Sequence, residues 1–79
     1  MMTLNYCNAN PDKELNITWI ANKYKNLVSP WINLHDNITV IENQDYMIIK
    51  NKDNRKIAIN HEVALNIGIK EDDYLKEED

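Results

Sequence analysis

The side chains that could do chemistry in this 79-residue chain are few, and their spacing indicates no catalytic site. Ser29, His35 and Asp36 are the residue types of a nucleophilic triad, but no nucleophile elbow or oxyanion-hole motif surrounds them. Cys7 could act as a nucleophile only if the fold brings a histidine to it. We therefore predict that the protein is not an enzyme.

Metal and cofactor chemistry has equally little support. A site made from Cys7, His35, His61 and a carboxylate would lack the close ligand spacing of known metal motifs. Gly68 is the single glycine, so the sequence contains no glycine-rich loop that could hold a phosphate group. We predict no metal and no cofactor.

The densest group of basic side chains is a candidate anion-binding site. This basic cluster consists of Lys50, Lys52, Arg55 and Lys56. Ammonium and guanidinium groups can neutralise phosphates and release counterions, which makes nucleic-acid binding sensitive to salt. The cluster predicts a local contact with DNA, although a solvated hairpin turn would give the same pattern.

Acidic side chains are concentrated in the last ten residues. Residues 70–79 carry six acidic and two basic side chains, which accounts for the whole net charge of −4. The acidic residues are Glu71, Asp72, Asp73, Glu77, Glu78 and Asp79. They could bind a partner protein by imitating the phosphates of a nucleic acid, or they could be a solubilising end. We treat residues 76–79 as a flexible acidic tail.

The elements that must position these groups are antiparallel β-hairpins. Apolar and β-branched residues predict strands at about 37–42, 45–50 and 55–59. Polar turn-forming residues separate the last two strands at 52–54. Large side chains for a core are expected from the aromatic residues, because the chain has no Phe. These aromatic residues are Trp19, Tyr24, Trp31 and Tyr46, and the alternative is a platform on which bases stack.

Two helices complete the predicted α+β fold class of one domain spanning residues 1–79. Asn60 is a suitable N-cap for a short helix at about 60–66, and Gly68 is placed as the glycine that follows a helix end. An apolar stripe predicts an N-terminal helix at about 18–28. The alternative is a second hairpin over residues 15–28, because Ile, Thr and Trp in that segment favour strands.

A longer pattern runs through residues 50–75. It comprises Lys56, the strand residues Ile57 and Ile59, the helix residues Glu62 and Val63, the tripeptide Ile67-Gly68-Ile69, and then Asp73 and Leu75. This pattern resembles the SpoVT/AbrB swapped-hairpin family of bacterial regulators and antitoxins. Residues 36–50 are similar to the second half of that family, so the two halves stand in permuted order. Arg55 replaces an expected glycine, and Asn60 replaces an expected proline.

The resemblance implies a dimeric, DNA-binding transcriptional regulator or antitoxin. It implies phosphate contacts from Lys50, Lys52 and Lys56, while Arg55 is a candidate by charge alone. The alternative is a phage-encoded inhibitor that binds a host protein through the acidic residues. Abundant Asn, Ile, Lys and Tyr suggest a phage or low-GC bacterial source.

The expected setting is the cytoplasm. A single cysteine cannot form a disulfide within one chain, and it fits a reducing compartment. No apolar run has the length of a membrane span, so we predict no membrane partner. A homodimer is expected, because a chain this short buries only a modest share of its surface.

Overall fold

Six antiparallel strands in one sheet form the frame of the protein in a computed structural model, which describes residues 1–71. The strands are β1 (Met2–Thr3), β2 (Asn10–Ile20), β3 (Asn37–Asn43), β4 (Met47–Lys50), β5 (Lys56–Ile59) and β6 (Ile67–Ile69). The helices are α1 (Asn22–Val28) and α2 (His61–Leu65), and a 3-10 turn covers Leu4–Tyr6. The strand order is β1-β6-β2-β3-β4-β5, which leaves β1 and β5 at the two edges.

The long strand β2 joins the two halves of this sheet. Its first part pairs with β3, with Leu15 opposite Ile38, and its last part pairs with β6, with Ile17 opposite Ile69. The register shifts within both ladders, and such irregularities bend a strand. One strand can therefore serve both halves, and its buried side chains face a common core.

Aliphatic side chains fill that core. The largest fully buried ones are Leu4, Ile17, Ile32, Ile38, Met47, Ile49, Ile67 and Ile69. The expectation that aromatic residues supply the core is wrong, because Trp19, Trp31 and Tyr46 are all exposed. Tyr24 is half-buried and packs against the core.

The predicted α+β class is wrong, because the described chain is mainly antiparallel sheet. The N-terminal helix predicted at 18–28 is also wrong, since β2 continues to Ile20 and α1 begins at Asn22. The alternative hairpin over 15–28 fails because its second half is helical. Ile17 and Ile20 pair with β6 and are buried there, so sheet pairing outweighs the apparent helical stripe.

The predicted hairpin region has strands within about two residues of their expected positions. Asn60 caps α2, because its side-chain oxygen accepts a hydrogen bond from the Val63 N–H at 2.8 Å. Gly68 does not end this helix. It lies buried in β6, opposite Thr3 on one side and Trp19 on the other.

Three further predictions concern the surroundings of this fold. No helix within residues 1–71 is long and apolar enough to cross a membrane. The flexible tail at 76–79 lies outside the described residues. The homodimer stays a prediction.

Candidate functional site

The basic cluster lies on the hairpin turn between β4 and β5. The Asn51 N–H donates to the Arg55 carbonyl at 2.9 Å, and the Asn54 N–H donates to the Asn51 carbonyl at 2.9 Å. Asn54 has a φ of 63°, a left-handed conformation that Asn tolerates better than most residues. This geometry is a tight turn that ends in a left-handed residue, as in common three-residue hairpin loops.

The basic cluster borders two depressions, although Lys50 and Lys56 lie opposite each other in the β4–β5 ladder. Lys50 and Lys52 line a polar cleft of about 450 Å³, together with Asp12 and Glu14. Carboxylates on the same cleft would repel a nucleic-acid phosphate, so this half is unsuited to a polyanion.

The other half of the cluster lies beside apolar side chains. Arg55 and Lys56 line a shallow depression with Trp31 and Ile57. The Arg55 guanidinium lies 5.5 Å from the centre of the Trp31 ring, within the range of a cation–π contact. The basic cluster is therefore not one continuous positive patch.

An apolar groove continues from this depression. Its lining residues are Leu27, Val28, Trp31, Ile32, Ile57, Ala58, Ile59, Asn60 and Val63, and its volume is about 330 Å³. We call it the Trp31 groove. Leu27 is 63% exposed and Trp31 is 43% exposed, so two large apolar side chains stand open at its rim. Exposed apolar side chains that surround a groove are typical of a surface that binds another protein.

Asn51 holds the wall of the groove that carries Trp31. It is the one buried polar side chain among residues 1–71, at 4% exposure. Its amide nitrogen donates to the Trp31 carbonyl at 2.9 Å. Its amide oxygen accepts from the N–H groups of Asp53 and Arg55 at 2.9 and 3.0 Å. One buried amide therefore joins the Trp31 segment to the hairpin turn.

A second contact holds the two helices that border the groove. The Tyr24 hydroxyl in α1 donates to a Glu62 carboxylate oxygen in α2 at 2.7 Å. This hydrogen bond raises the pKa of Tyr24 above its usual range. Leu27 and Val28 are on the same helix as Tyr24, and Val63 follows Glu62, so the contact links the helices that supply these lining residues.

The residues considered for catalysis are used in the fold instead. Cys7 is buried, and burial raises the pKa of its thiol to about 11 despite the opposing effect of Lys13. A thiol with this pKa is protonated at neutral pH and is a poor nucleophile. The backbone N–H of His35 donates to the Ile17 carbonyl at 2.7 Å, in a loop where His35 has a φ of 72°.

Asn43 connects the backbone of Cys7 to the ring of His61. The Asn43 amide nitrogen donates to the Cys7 carbonyl at 2.8 Å, so its amide oxygen is free to accept. The His61 Nε2 lies 2.8 Å from that oxygen, which makes Nε2 the donor. This is a structural connection between the start of α2 and the end of β3. Within residues 1–71, no group of three His, Cys, Asp or Glu side chains could hold a metal ion.

The acidic candidates fall mostly beyond the described residues. Glu71 is exposed, and its carboxylate lies 3.6 Å from the Met1 amino group. The other five lie outside the part of the chain that the structure describes, and they are Asp72, Asp73, Glu77, Glu78 and Asp79.

Sequence reasoning missed Leu27 and Trp31 as functional residues. The apolar stripe that predicts a helix at 18–28 gives no sign that Leu27 is exposed, and Trp31 is predicted to be a core residue. Only Ile32 of the segment around Trp31 is fully buried, while Trp31 and Leu34 remain exposed. The available signal was an apolar segment after Pro30 that fits neither a helix nor a strand period.

The arrangement of the strands gives the protein a fold of the small SH3-like β-barrel class. The chain is similar to a solved structure described as "Iron Uptake Regulatory Protein (FeoA)", with a TM-score of 0.73 and 19% sequence identity. The alignment covers 87% of this chain and 93% of that chain. At this identity the likeness shows the fold alone. No protein-family model and no curated protein matches the chain.

This likeness corrects the function expected from the sequence. A regulator or antitoxin of the SpoVT/AbrB type is wrong, because the chain has an SH3-like fold similar to FeoA. The same finding also overturns the expected alternative of a phage-encoded inhibitor.

Proposed function

We propose that this chain is a small, non-enzymatic regulatory protein that acts on a partner protein of iron uptake. The observation that carries the proposal is the similarity to the structure named as an iron uptake regulatory protein, which extends over nearly all of both chains. The proposal assigns regulation by binding and assigns no chemical reaction to the chain.

The Trp31 groove supports the part of this proposal that concerns docking. Leu27 and Trp31 expose large apolar surfaces, and burial of such surfaces stabilises a complex by about 25 cal/mol per Å² removed from water, before the costs of association. Asn51 and the Tyr24–Glu62 hydrogen bond already hold the groove in shape. A preformed site of this kind loses less conformational entropy when its partner binds.

The cytoplasm is the proposed location. Cys7 is a free thiol among the described residues, which suits a reducing compartment.

The test is iron uptake in cells of the source organism. We expect deletion of the gene to change the rate of ⁵⁵Fe accumulation under iron limitation, and the wild-type chain to restore it. Trp31→Lys should fail to restore the rate, because it replaces a large apolar side chain at the rim of the groove with a charge. Tyr46→Lys is the matched control, since Tyr46 is similarly exposed, at 50% against 43% for Trp31, but lies outside the groove.

Two results would count against the proposal. An unchanged rate of ⁵⁵Fe accumulation after deletion would remove the role in iron uptake. Full restoration by Trp31→Lys, with the variant folded and expressed, would remove the groove from that role. Uptake of another divalent metal, measured in parallel, separates iron regulation from a general defect of transport.

A further inference from the structure

The outer edge of β5 presents unpaired backbone groups next to the Trp31 groove. Asn51 and Arg55 form a hydrogen-bonded opposed pair at the end of the β4–β5 ladder. Opposed pairs in an antiparallel ladder alternate between bonded and non-bonded, so Lys56 and Ala58 are in non-bonded pairs. Their N–H and C=O groups therefore point away from β4. No other backbone group of residues 1–71 bonds to them.

The two faces of this edge differ in chemistry. Side chains alternate along a strand, so Ile57 and Ile59 point to the core side, and both line the groove. The side chains of Lys56 and Ala58 point to the other side and are exposed, and Ala58 also borders the groove. A strand added to this edge would place every second side chain in the groove and the intervening ones beside Lys56.

The charge at this edge favours an acidic occupant. Lys50 lies directly opposite Lys56, and like charges in opposed positions destabilise a sheet. Neither lysine forms an ion pair within residues 1–71. Arg55 adds a third positive charge at the same end of β5. Asp12 and Glu14 share a cleft with Lys50, so Arg55 and Lys56 are the cations nearest to carboxylates on an added strand.

We propose that the partner docks through an extended segment with alternating apolar and acidic side chains, which pairs with β5 as an additional strand. This inference rests on the proposed function and specifies the part of the partner that is recognised. The backbone hydrogen bonds hold the segment, and the groove and the lysines select its side chains, as in other cases of strand addition. A second copy of this chain fits less well, because pairing two β5 edges would bring two cationic edges together.

The probe is a blocked eight-residue peptide in which Leu or Val alternates with Glu or Asp. It is titrated into the full ¹⁵N-labelled chain at low and moderate salt. We expect the largest amide shifts at residues 56–60, and weaker binding at the higher salt. Two control peptides should bind at least about tenfold more weakly, corresponding to about 1.4 kcal/mol each. One has the same composition with its apolar residues grouped, and the other has Lys in place of Glu and Asp.

Strand addition is separated from simple groove filling by removing single backbone donors. One peptide is N-methylated at its odd-numbered residues and another at its even-numbered residues. One of the two loses the N–H groups that bond to β5 and should bind more weakly. The other loses only N–H groups that face away from β5 and should bind as before. On the protein, Ala58→Pro removes an outward N–H without breaking a bond to β4, and edge strands tolerate proline at such positions. Ala58→Val keeps the N–H and changes the same groove-lining position, so it should weaken binding less than Ala58→Pro does. Should Ala58→Pro fail to fold, the methylated peptides still decide the question.

The outcomes distinguish this inference from the proposed function. Equal binding of all methylated peptides, or of the grouped and alternating peptides, would overturn strand addition. No binding of any peptide, while Trp31→Lys still fails to restore iron uptake, would also overturn it and leave the groove in its regulatory role. Specific binding of the alternating peptide without any effect of gene deletion on iron uptake would support strand addition and contradict the proposed partner. A concentration-dependent dimer that the peptide dissociates would identify a second copy as the occupant and overturn the inference.

Discussion

The two edge strands of the sheet, β1 and β5, differ in length and in the side chains that lie beside them. At one edge, β1 is only Met2–Thr3, and it covers β6. There Gly68 lies so close to Met1 and Trp19 that an added Cβ would come within 2.7 and 3.2 Å of their side-chain atoms. At the other edge, β5 has four residues with no strand beyond it in the described chain, and exposed Leu27 and Trp31 flank it.

The difference shows where this small protein concentrates its stability and where it keeps surface for binding. An edge strand of two residues offers little backbone to another chain, which protects the β1 side from unwanted pairing. The β5 edge lacks that protection and adjoins an apolar groove. We infer that the β1 edge serves the fold and the β5 edge serves recognition.

The largest expected contrast is between Ile17 and Leu27. Ile17 is fully buried between β3 and β6, so Ile17→Ala should lower the free energy of unfolding by about 2–5 kcal/mol. Leu27→Ala should change it by less than about 0.5 kcal/mol, because that side chain is mostly in water. Urea unfolding of both variants measures the contrast, and equal losses would show that the groove is part of the core.

The next effect concerns the amide that links the β5 turn to the groove. Asn51→Ala removes the hydrogen-bond partner of the Trp31 carbonyl and of two N–H groups in the turn. We expect it to lower the free energy of unfolding by about 1–3 kcal/mol. Asn51→Asp keeps the acceptor for the two N–H groups of the turn, but it places a buried carboxylate against the Trp31 carbonyl. It should therefore lose at least as much stability as Asn51→Ala at neutral pH.

Trp31 fluorescence reports whether this change reaches the groove. In a Trp19→Phe background, both Asn51 variants should shift the Trp31 emission, because both release the Trp31 carbonyl. An unchanged emission together with lower stability would limit Asn51 to the hairpin turn.

Much of the hairpin region could be predicted from sequence because its signals are local. Turn-forming residues at 52–54 separate two β-branched segments, and Asn60 provides a side chain that caps the following helix. Each of these features depends on neighbours within a few residues. The strands and the short helix therefore lie close to their expected positions.

The errors arise where distant pairing decides the structure. Residues 18–20 carry a helical pattern, but they pair with β6, which is almost fifty residues away in the chain. Gly68 looks like a helix end because it follows one, yet its role comes from the contact with Trp19. The groove was missed for the same reason, since Trp31 and Ile57 meet only after the sheet has formed. No local signal reports such contacts.

The smallest effect tests the two edges with the same kind of change, the addition of a branched side chain. Gly68→Val must displace Met1 and Trp19, so we expect it to lower the free energy of unfolding. Overpacking of this kind costs about 1–3 kcal/mol, and we expect the lower half of that range because the Met1 side chain is flexible and can move aside. Ala58→Val adds atoms to an exposed position and should change stability by less than about 0.5 kcal/mol. Thermal and urea unfolding measure both variants. If Ala58→Val proved as costly as Gly68→Val, the β5 edge would be as tightly packed as the β1 edge, and its assignment to recognition would be lost.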